Sequence, residues 1–264
     1  MKRAAQDLRE QWALVTGASS GLGREFALQL AAMGMHLVVA ARRVERLEQL
    51  AVEIRERDGR EVLTVGVDLA TEAGVQDLVA TVASHRVEPF VLVNNAGAGY
   101  HGDFLALDAD RERAMLELDV VALAALTRVY AGQMVARGCG YILQVASVAA
   151  YQGVPGYALY AAAKAFVRNY GEAVRGELRG TGVSVTVLSP GVTATEFQEV
   201  AGEGQSFFPR VTMISGDRVV RSGLQAMLRR RMSVVPGVLN RISVGLATIL
   251  PRKLTVRLAQ LFAQ

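Results

Sequence analysis

Short apolar runs alternate along the chain with longer segments in which apolar residues recur every three or four positions. The short runs predict strands over residues 12–16, 36–40, 62–67, 90–94, 141–145 and 184–189, because a few consecutive apolar residues bounded by Gly, Asp or Asn suit a buried extended segment. The longer segments predict helices over 22–33, 44–58, 75–84, 111–137 and 157–179. Strand and helix in strict alternation imply α/β architecture, a doubly wound parallel sheet with helices on both faces. Strands covered on both sides must be apolar throughout, and Leu37-Val38-Val39 and Phe90-Val91-Leu92-Val93 are,. Gly34 suits the C-terminal cap of the first helix, and Thr71-Glu72 the start of the third,.

Composition narrows the class. With 264 residues, 51% of them hydrophobic, and no composition break, one large domain over 1–264 is expected,. A formal charge of +4 raises the question of nucleic acid, but the basic residues between 42 and 60 are interleaved with Glu and Asp, so nucleic acid is disfavoured,. Arg229, Arg230 and Arg231, with Arg252 and Lys253 later, keep open a peripheral membrane contact through the C-terminal third,. A single cysteine, Cys139, forms no internal disulfide and has no ligand cluster beside it, so no metal site is expected and a reducing compartment fits,. Residues 1–10 are charged and lack the apolar core of a signal peptide,. The uncharged stretch 138–163 is interrupted by Gln144, Gln152, Pro155 and glycines, and 234–250 by Arg241, so neither is read as a membrane span,. A cytoplasmic protein, with that peripheral contact left open, is the expectation.

Candidate chemistry begins directly after the first strand, at Thr16-Gly17-Ala18-Ser19-Ser20-Gly21-Leu22-Gly23. Glycines between a strand and a helix let backbone N–H groups approach a pyrophosphate, while the helix N-terminus favours negative charge. Gly17, Ser19, Ser20, Gly21, Leu22 and Gly23 are therefore candidate cofactor contacts. An acidic residue at the end of the second strand would hold ribose hydroxyls and repel a 2′-phosphate. Here Ala40-Ala41 is followed by Arg42 and Arg43, whose guanidinium groups favour that phosphate, so NADP(H) is expected over NAD(H),.

Tyr160 and Lys164 stand four residues apart in a helical pattern and so share one face,. A phenol of ordinary pKa near ~10 is a poor base at neutral pH, and an adjacent ammonium is expected to lower that value. Tyr160 could then exchange a proton with a carbonyl or alcohol oxygen while hydride moves at the carbon. Ser147, just past the fifth strand, can hydrogen-bond the same oxygen at the sheet's carboxyl edge,. Tyr151 and Tyr157 lack a lysine four residues on and are expected to line the substrate entrance.

The TGxxxGxG turn, Ser147 and Tyr160-Ala161-Ala162-Ala163-Lys164, in this order and spacing, resemble the short-chain dehydrogenase/reductase family over roughly residues 13–197. The resemblance implies a single Rossmann domain of about seven strands in the order 3-2-1-4-5-6-7. It also implies that Lys164 binds the ribose, that Asp68-Leu69 contacts the adenine, and that Asn95, Ala96 and Gly97 of the NNAG motif line the cofactor. Pro190, Gly191, Val192, Thr193 and Thr195 correspond to the segment beside the nicotinamide. One departure stands out: the family's asparagine in the helix before the fifth strand aligns with Asp119, so that an ionised carboxylate beside Lys164 would weaken its pull on Tyr160,. A solvent-facing Asp119 is the alternative. The resemblance further implies a homodimer or homotetramer through the helices containing Arg111 and Tyr157.

Substrate choice is expected to lie beyond the sixth strand. Residues 197–232 are read as a substrate-covering segment, greasy at Phe197, Phe207, Phe208, Val211 and Met213, and 233–264 as a basic and apolar extension,. The expected activity is NADP(H)-dependent hydride transfer to a small, lipophilic carbonyl or from the matching secondary alcohol. Two rivals are an NAD-linked alcohol dehydrogenase and a catalytically weak NADP-binding sensor or scaffold, the latter motivated by Asp119.

Overall fold

The computed structural model describes residues 8–191 and 214–263. Seven parallel strands form one sheet in the order β3-β2-β1-β4-β5-β6-β7. They are β1 Trp12–Thr16, β2 His36–Ala41, β3 Val62–Gly66, β4 Pro89–Asn94, β5 Gly140–Val145, β6 Val183–Leu188 and β7 Ser233–Val234. The helices are α1 Gly21–Ala32, α2 Val44–Asp58, α3 Glu72–Ser84, α4 Ala109–Leu116, α5 Leu123–Arg137, α6 Ala158–Glu177, α7 Gly216–Leu228, α8 Val238–Ile249 and α9 Arg252–Ala263. This is the doubly wound Rossmann-type sheet expected from the alternation.

Side chains alternate across the sheet and build two cores. Ala13, Val15, Leu37 and Val39 face α1, α2 and α7, meeting Phe26, Leu30, Leu47, Ile54, Val220 and Met227. Leu14, Val38 and Leu92 face the other layer, where Leu78 of α3 and Leu126, Tyr130 and Met134 of α5 pack. Each such large apolar side chain contributes about 1.5–3 kcal/mol on burial, so the sheet's middle is rigid and its carboxyl edge is a fixed platform.

Local signals place the helix ends. Gly34, at φ +92°, takes the left-handed conformation just past α1, and Thr71 caps α3 by accepting a hydrogen bond from the Gly74 backbone N–H at 3.0 Å,. The continuous helix expected over 111–137 is instead broken: Glu117–Ala122 forms a π-helical turn between α4 and α5. Asp119 and Ala122 of that wide turn face the interior, on the same side as Met115 and Leu123,. Of the expected substrate-covering segment, residues 197–213 lie outside the described residues. Its remainder includes α7, a core helix with Val219, Val220, Leu224 and Met227 buried, and Asp217 carbonyl accepts a hydrogen bond from Gln29 of α1 at 3.0 Å.

Candidate active site at the carboxyl edge

The glycine turn sits where β1 meets α1. Gly17 and Gly21 have φ of +68° and +53°, a conformation that costs other residues energy,. A Cβ on Gly17 would stand 2.8 Å from Ala96 Cα, and one on Gly23 2.2 Å from the Gly17 carbonyl oxygen. The turn is thus closed against the loop after β4. Thr16 and Asn95 lock the two together: Thr16 Oγ1 accepts hydrogen bonds from the backbone N–H groups of Asn95 and Ala96 at 3.1 and 3.0 Å, and Asn95 Nδ2 donates to the Thr16 carbonyl at 3.0 Å. Thr16 and this second role of Asn95 were not singled out in the sequence, since a threonine ending a strand carries no distinguishing signal.

These residues suit a dinucleotide. Ser20, the N-cap of α1, makes no side-chain capping bond, and no acidic residue occupies the first turn, so the helix N-terminus presents its N–H dipoles without a competing anion,. Arg43 reaches over the turn, donating from Nη2 to Ser19 Oγ at 3.1 Å and to Ser20 Oγ at 2.7 Å. Arg42 beside it is exposed. After β3, Asp68 is exposed and accepts from the Ala70 N–H at 3.1 Å, while Leu69 is buried. Pro190 and Gly191 follow β6, with the Pro190 carbonyl accepting from Val148 N–H at 2.9 Å. Val192, Thr193 and Thr195 lie outside the described residues.

The catalytic candidates converge on the neighbouring strand. Ser147 caps a short 3₁₀ turn, Val148–Tyr151, accepting from the Ala149 N–H at 3.1 Å, and shares a hydrogen bond with the Tyr160 hydroxyl. Lys164, one turn along α6 from Tyr160, lies with Nζ 5.7 Å from the Tyr160 ring centroid and donates to the Val145 carbonyl at 3.4 Å. The structure also decides the two readings of Asp119. Its carboxylate is 0% exposed and stands 2.8 Å from Lys164 Nζ, with Oδ1 accepting from the Ala98 N–H at 2.8 Å. Oδ2 has the Lys164 ammonium as its ion-pair partner and accepts no hydrogen bond of good geometry. Gly97 lies against this pair, and a Cβ there would fall 3.0 Å from Lys164 Nζ.

Electrostatics correct one expectation. Burial pushes the Tyr160 phenol up, Lys164 and the Ser147 hydrogen bond pull it down, and the Asp119 carboxylate pushes it up again. The balance is upward, not downward, because burial outweighs the pull of Lys164 and Ser147, and the Asp119 carboxylate adds to it,. Burial works strongly to lower the Lys164 ammonium, but the Asp119 carboxylate and Tyr160 together outweigh it, and the lysine is shifted up. Burial likewise raises Asp119, against the pull of Lys164.

His101, Thr127 and Asn240 escaped the sequence reading, whereas Tyr151 and Tyr157 were both expected at the substrate entrance. His101 and Tyr157 pack ring to ring at 4.8 Å, and Tyr157 lies 6.0 Å from the Tyr160 ring, so Tyr157 is a buried wall beside the catalytic tyrosine candidate. Tyr151 instead lies under the Arg168 guanidinium, 4.4 Å away. Behind the site, Asn94, Thr127 and Gln144 form a buried network: Asn94 Nδ2 donates to Thr127 Oγ1 at 3.0 Å and to Gln144 Oε1 at 3.1 Å, across adjacent strands. Asn240 of α8 presses on the Pro190-Gly191 turn, where a Cβ on Gly191 would come within 2.4 Å of its amide. A lone asparagine in an apolar run was the available signal.

Comparison with known proteins agrees with this geometry. The family model for short chain dehydrogenase matches residues 11–206. The chain is 36% identical to an uncharacterized oxidoreductase of Myxococcus xanthus over 184 residues, covering 70% of this chain and 72% of that one. It is 34% identical over 192 residues to the 3-oxoacyl-[acyl-carrier-protein] reductase of a Synechocystis strain, covering 73% and 78%. A short-chain dehydrogenase from Sphingobium yanoikuyae, solved in complex with NADPH, superposes with a TM-score of 0.80 at 29% identity, covering 92% of this chain and 97% of that one. With its sheet order, glycine turn and Ser147–Tyr160–Lys164 constellation, the chain belongs to the short-chain dehydrogenase/reductase family, nicotinamide-dependent oxidoreductases acting on CH–OH groups.

Proposed function

We propose that the protein is an NADPH-dependent reductase of lipophilic carbonyl compounds, with Tyr160 as the proton donor. The observation that carries this reading is the Tyr160 phenol, held protonated by burial and hydrogen-bonded to Ser147, beside the Lys164 ammonium at the carboxyl edge. A bound reduced nicotinamide supplies the hydride. As the carbonyl oxygen gains negative charge, Ser147 donates a hydrogen bond to it and Tyr160 delivers its proton. Lys164 holds positive charge beneath the phenol and is the candidate ribose contact; Asp119 fixes the ammonium in place. A phenol whose pKa lies above its ordinary value is protonated at neutral pH and so holds the proton that carbonyl reduction requires,.

NADP(H) rather than NAD(H) is supported by Arg43, whose guanidinium reaches Ser19 and Ser20 of the phosphate-binding turn, and by the absence of an acidic residue in Ala40-Ala41-Arg42-Arg43. A lipophilic substrate is supported by the apolar wall of Val154, Tyr157 and Ala161 around Tyr160 and by the sequence likeness to a 3-oxoacyl-[acyl-carrier-protein] reductase. Homo-oligomerisation through the Arg111 helix, here α4 continued into α5, and the Tyr157 helix, α6, is supported by exposed Val135 and Phe166. The rival reading, a weak NADP-binding sensor, draws on one observation: the Asp119 carboxylate offsets the charge of Lys164.

An NADPH-oxidation screen over lipophilic ketones, run on wild type and Tyr160→Phe with cofactor binding followed by fluorescence, tests the proposal. Wild type turns over at least one ketone, and the variant loses about 10²–10⁴-fold in rate while binding NADPH unchanged. Tight NADPH binding without turnover on any ketone would support the sensor instead.

A further inference from the structure

We propose that α8 and α9 form a docking face for an anionic lipid bilayer, on which the protein lies without crossing it. A helix packed on a soluble domain normally turns its apolar stripe inward. α8 does the reverse. Asn240 is its buried residue, and Val244 and Ala247, on the same side at about 100° per residue, are half-buried,. Val238, Leu239, Ile242, Leu246 and Ile249 occupy the opposite arc and point to solvent, from 48% exposed at Leu239 to 82% at Ile249.

α9 continues the arrangement in three parallel strips. Thr255 and Ala259, four apart, are buried, Ala259 within the cluster of Val154, Tyr157 and Ala161. Leu254 and Leu258, also four apart, are exposed, and Lys253 and Arg257 form the exposed basic strip beside them.

Charge selects the occupant. No Asp or Glu follows Asp217 in the sequence, whereas Arg241, Arg252, Lys253 and Arg257 are all exposed around the apolar stripe. A second copy docked through the same face about a two-fold axis would bring basic strips together with no acidic residue on either helix to offset them. Exposed apolar side chains on two helices whose charged residues are all cations match the boundary between anionic headgroups and acyl chains,. Among the described residues no helix is long and apolar enough to cross a membrane, which leaves contact in the plane of the surface. The anchoring of Asn240 against Gly191 and of Ala259 beside Tyr157 ties this face to the rim of the catalytic cleft.

Flotation with vesicles tests the inference without reference to turnover. Full-length protein should float with vesicles of equimolar phosphatidylcholine and phosphatidylglycerol, bind phosphatidylcholine vesicles far less, and lose binding as salt rises. Arg252→Ala/Lys253→Ala/Arg257→Ala should weaken partitioning about a hundredfold, at about fivefold per cation. Leu246→Ser/Ile249→Ser should weaken it comparably while leaving the melting temperature and NADPH affinity at wild-type values. Absence of binding to the anionic vesicles would overturn the proposal. So would dissociation of an oligomer by Leu246→Ser/Ile249→Ser with vesicle binding unchanged, which would make the face a contact between copies.

Discussion

The two halves of the sheet's carboxyl edge solve different problems with different materials. The cofactor half, after β1 and β2, is built from backbone: Gly17, Gly21 and Gly23 let the chain turn tightly and touch the Asn95-Ala96 loop, and Arg43 is its main added side chain. The chemical half, after β4 and β5, is built from buried charge: Asp119, Lys164 and Tyr160 bias one another across a few ångströms. Backbone recognition leaves a mark in the sequence, because only glycine fits. A titration state leaves none, because it depends on how deeply each group is buried and what faces it.

Removing one charge from the chemical half should have the largest effect. Lys164→Met leaves the Asp119 carboxylate buried without its cation, which is expected to cost about 3–5 kcal/mol of stability and to abolish measurable turnover,. Denaturant melts of the variant check the first part; wild-type stability would mean that Asp119 is neutral in the fold. The cofactor half should respond more gently. Arg43→Ala removes charge-assisted hydrogen bonding and is expected to weaken NADPH about tenfold to a hundredfold, leaving NADH nearly unchanged. Arg42→Asp should go further and reverse the preference, as competitive binding of the two cofactors would show. At the far end of the scale, Arg24→Ala breaks an ion pair with Glu53 in which both side chains are well exposed, and calorimetry should find stability within about 1 kcal/mol of wild type,.

The sequence was most legible where a local rule acts alone. The strand bounds at β1 are reproduced, and those of β2 through β6 differ by a residue or so, because runs such as Leu37-Val38-Val39 suit only a sheet buried on both faces. Thr71 and Gly34 acted as the caps their chemistry suggests. Two features were not legible. The π-helical turn at Glu117–Ala122 leaves no mark in the apolar spacing, which puts Asp119 on the face of Met115 and Leu123 but does not say that a carboxylate there is buried and paired. β7, only Ser233–Val234, is too short to show a period and forms by pairing with Val187 and Leu188. The direction of the Tyr160 shift failed for a related reason: spacing places Lys164 beside the phenol, but the burial and the Asp119 carboxylate that outweigh it are properties of the fold.

The central claim is that a buried phenol, kept protonated by its surroundings and by Asp119, gives up the proton that completes carbonyl reduction. The pH dependence of NADPH-driven reduction in wild type and Asp119→Asn tests it most directly. In wild type the rate should be level through neutral pH and fall only on the alkaline side, where the phenol ionises,. Asp119→Asn keeps an oxygen for the Ala98 N–H but removes the charge that pushes the phenol up, so that alkaline limb should move to lower pH. A limb that stays in place, or a wild-type rate that already collapses below neutral pH, would contradict the account.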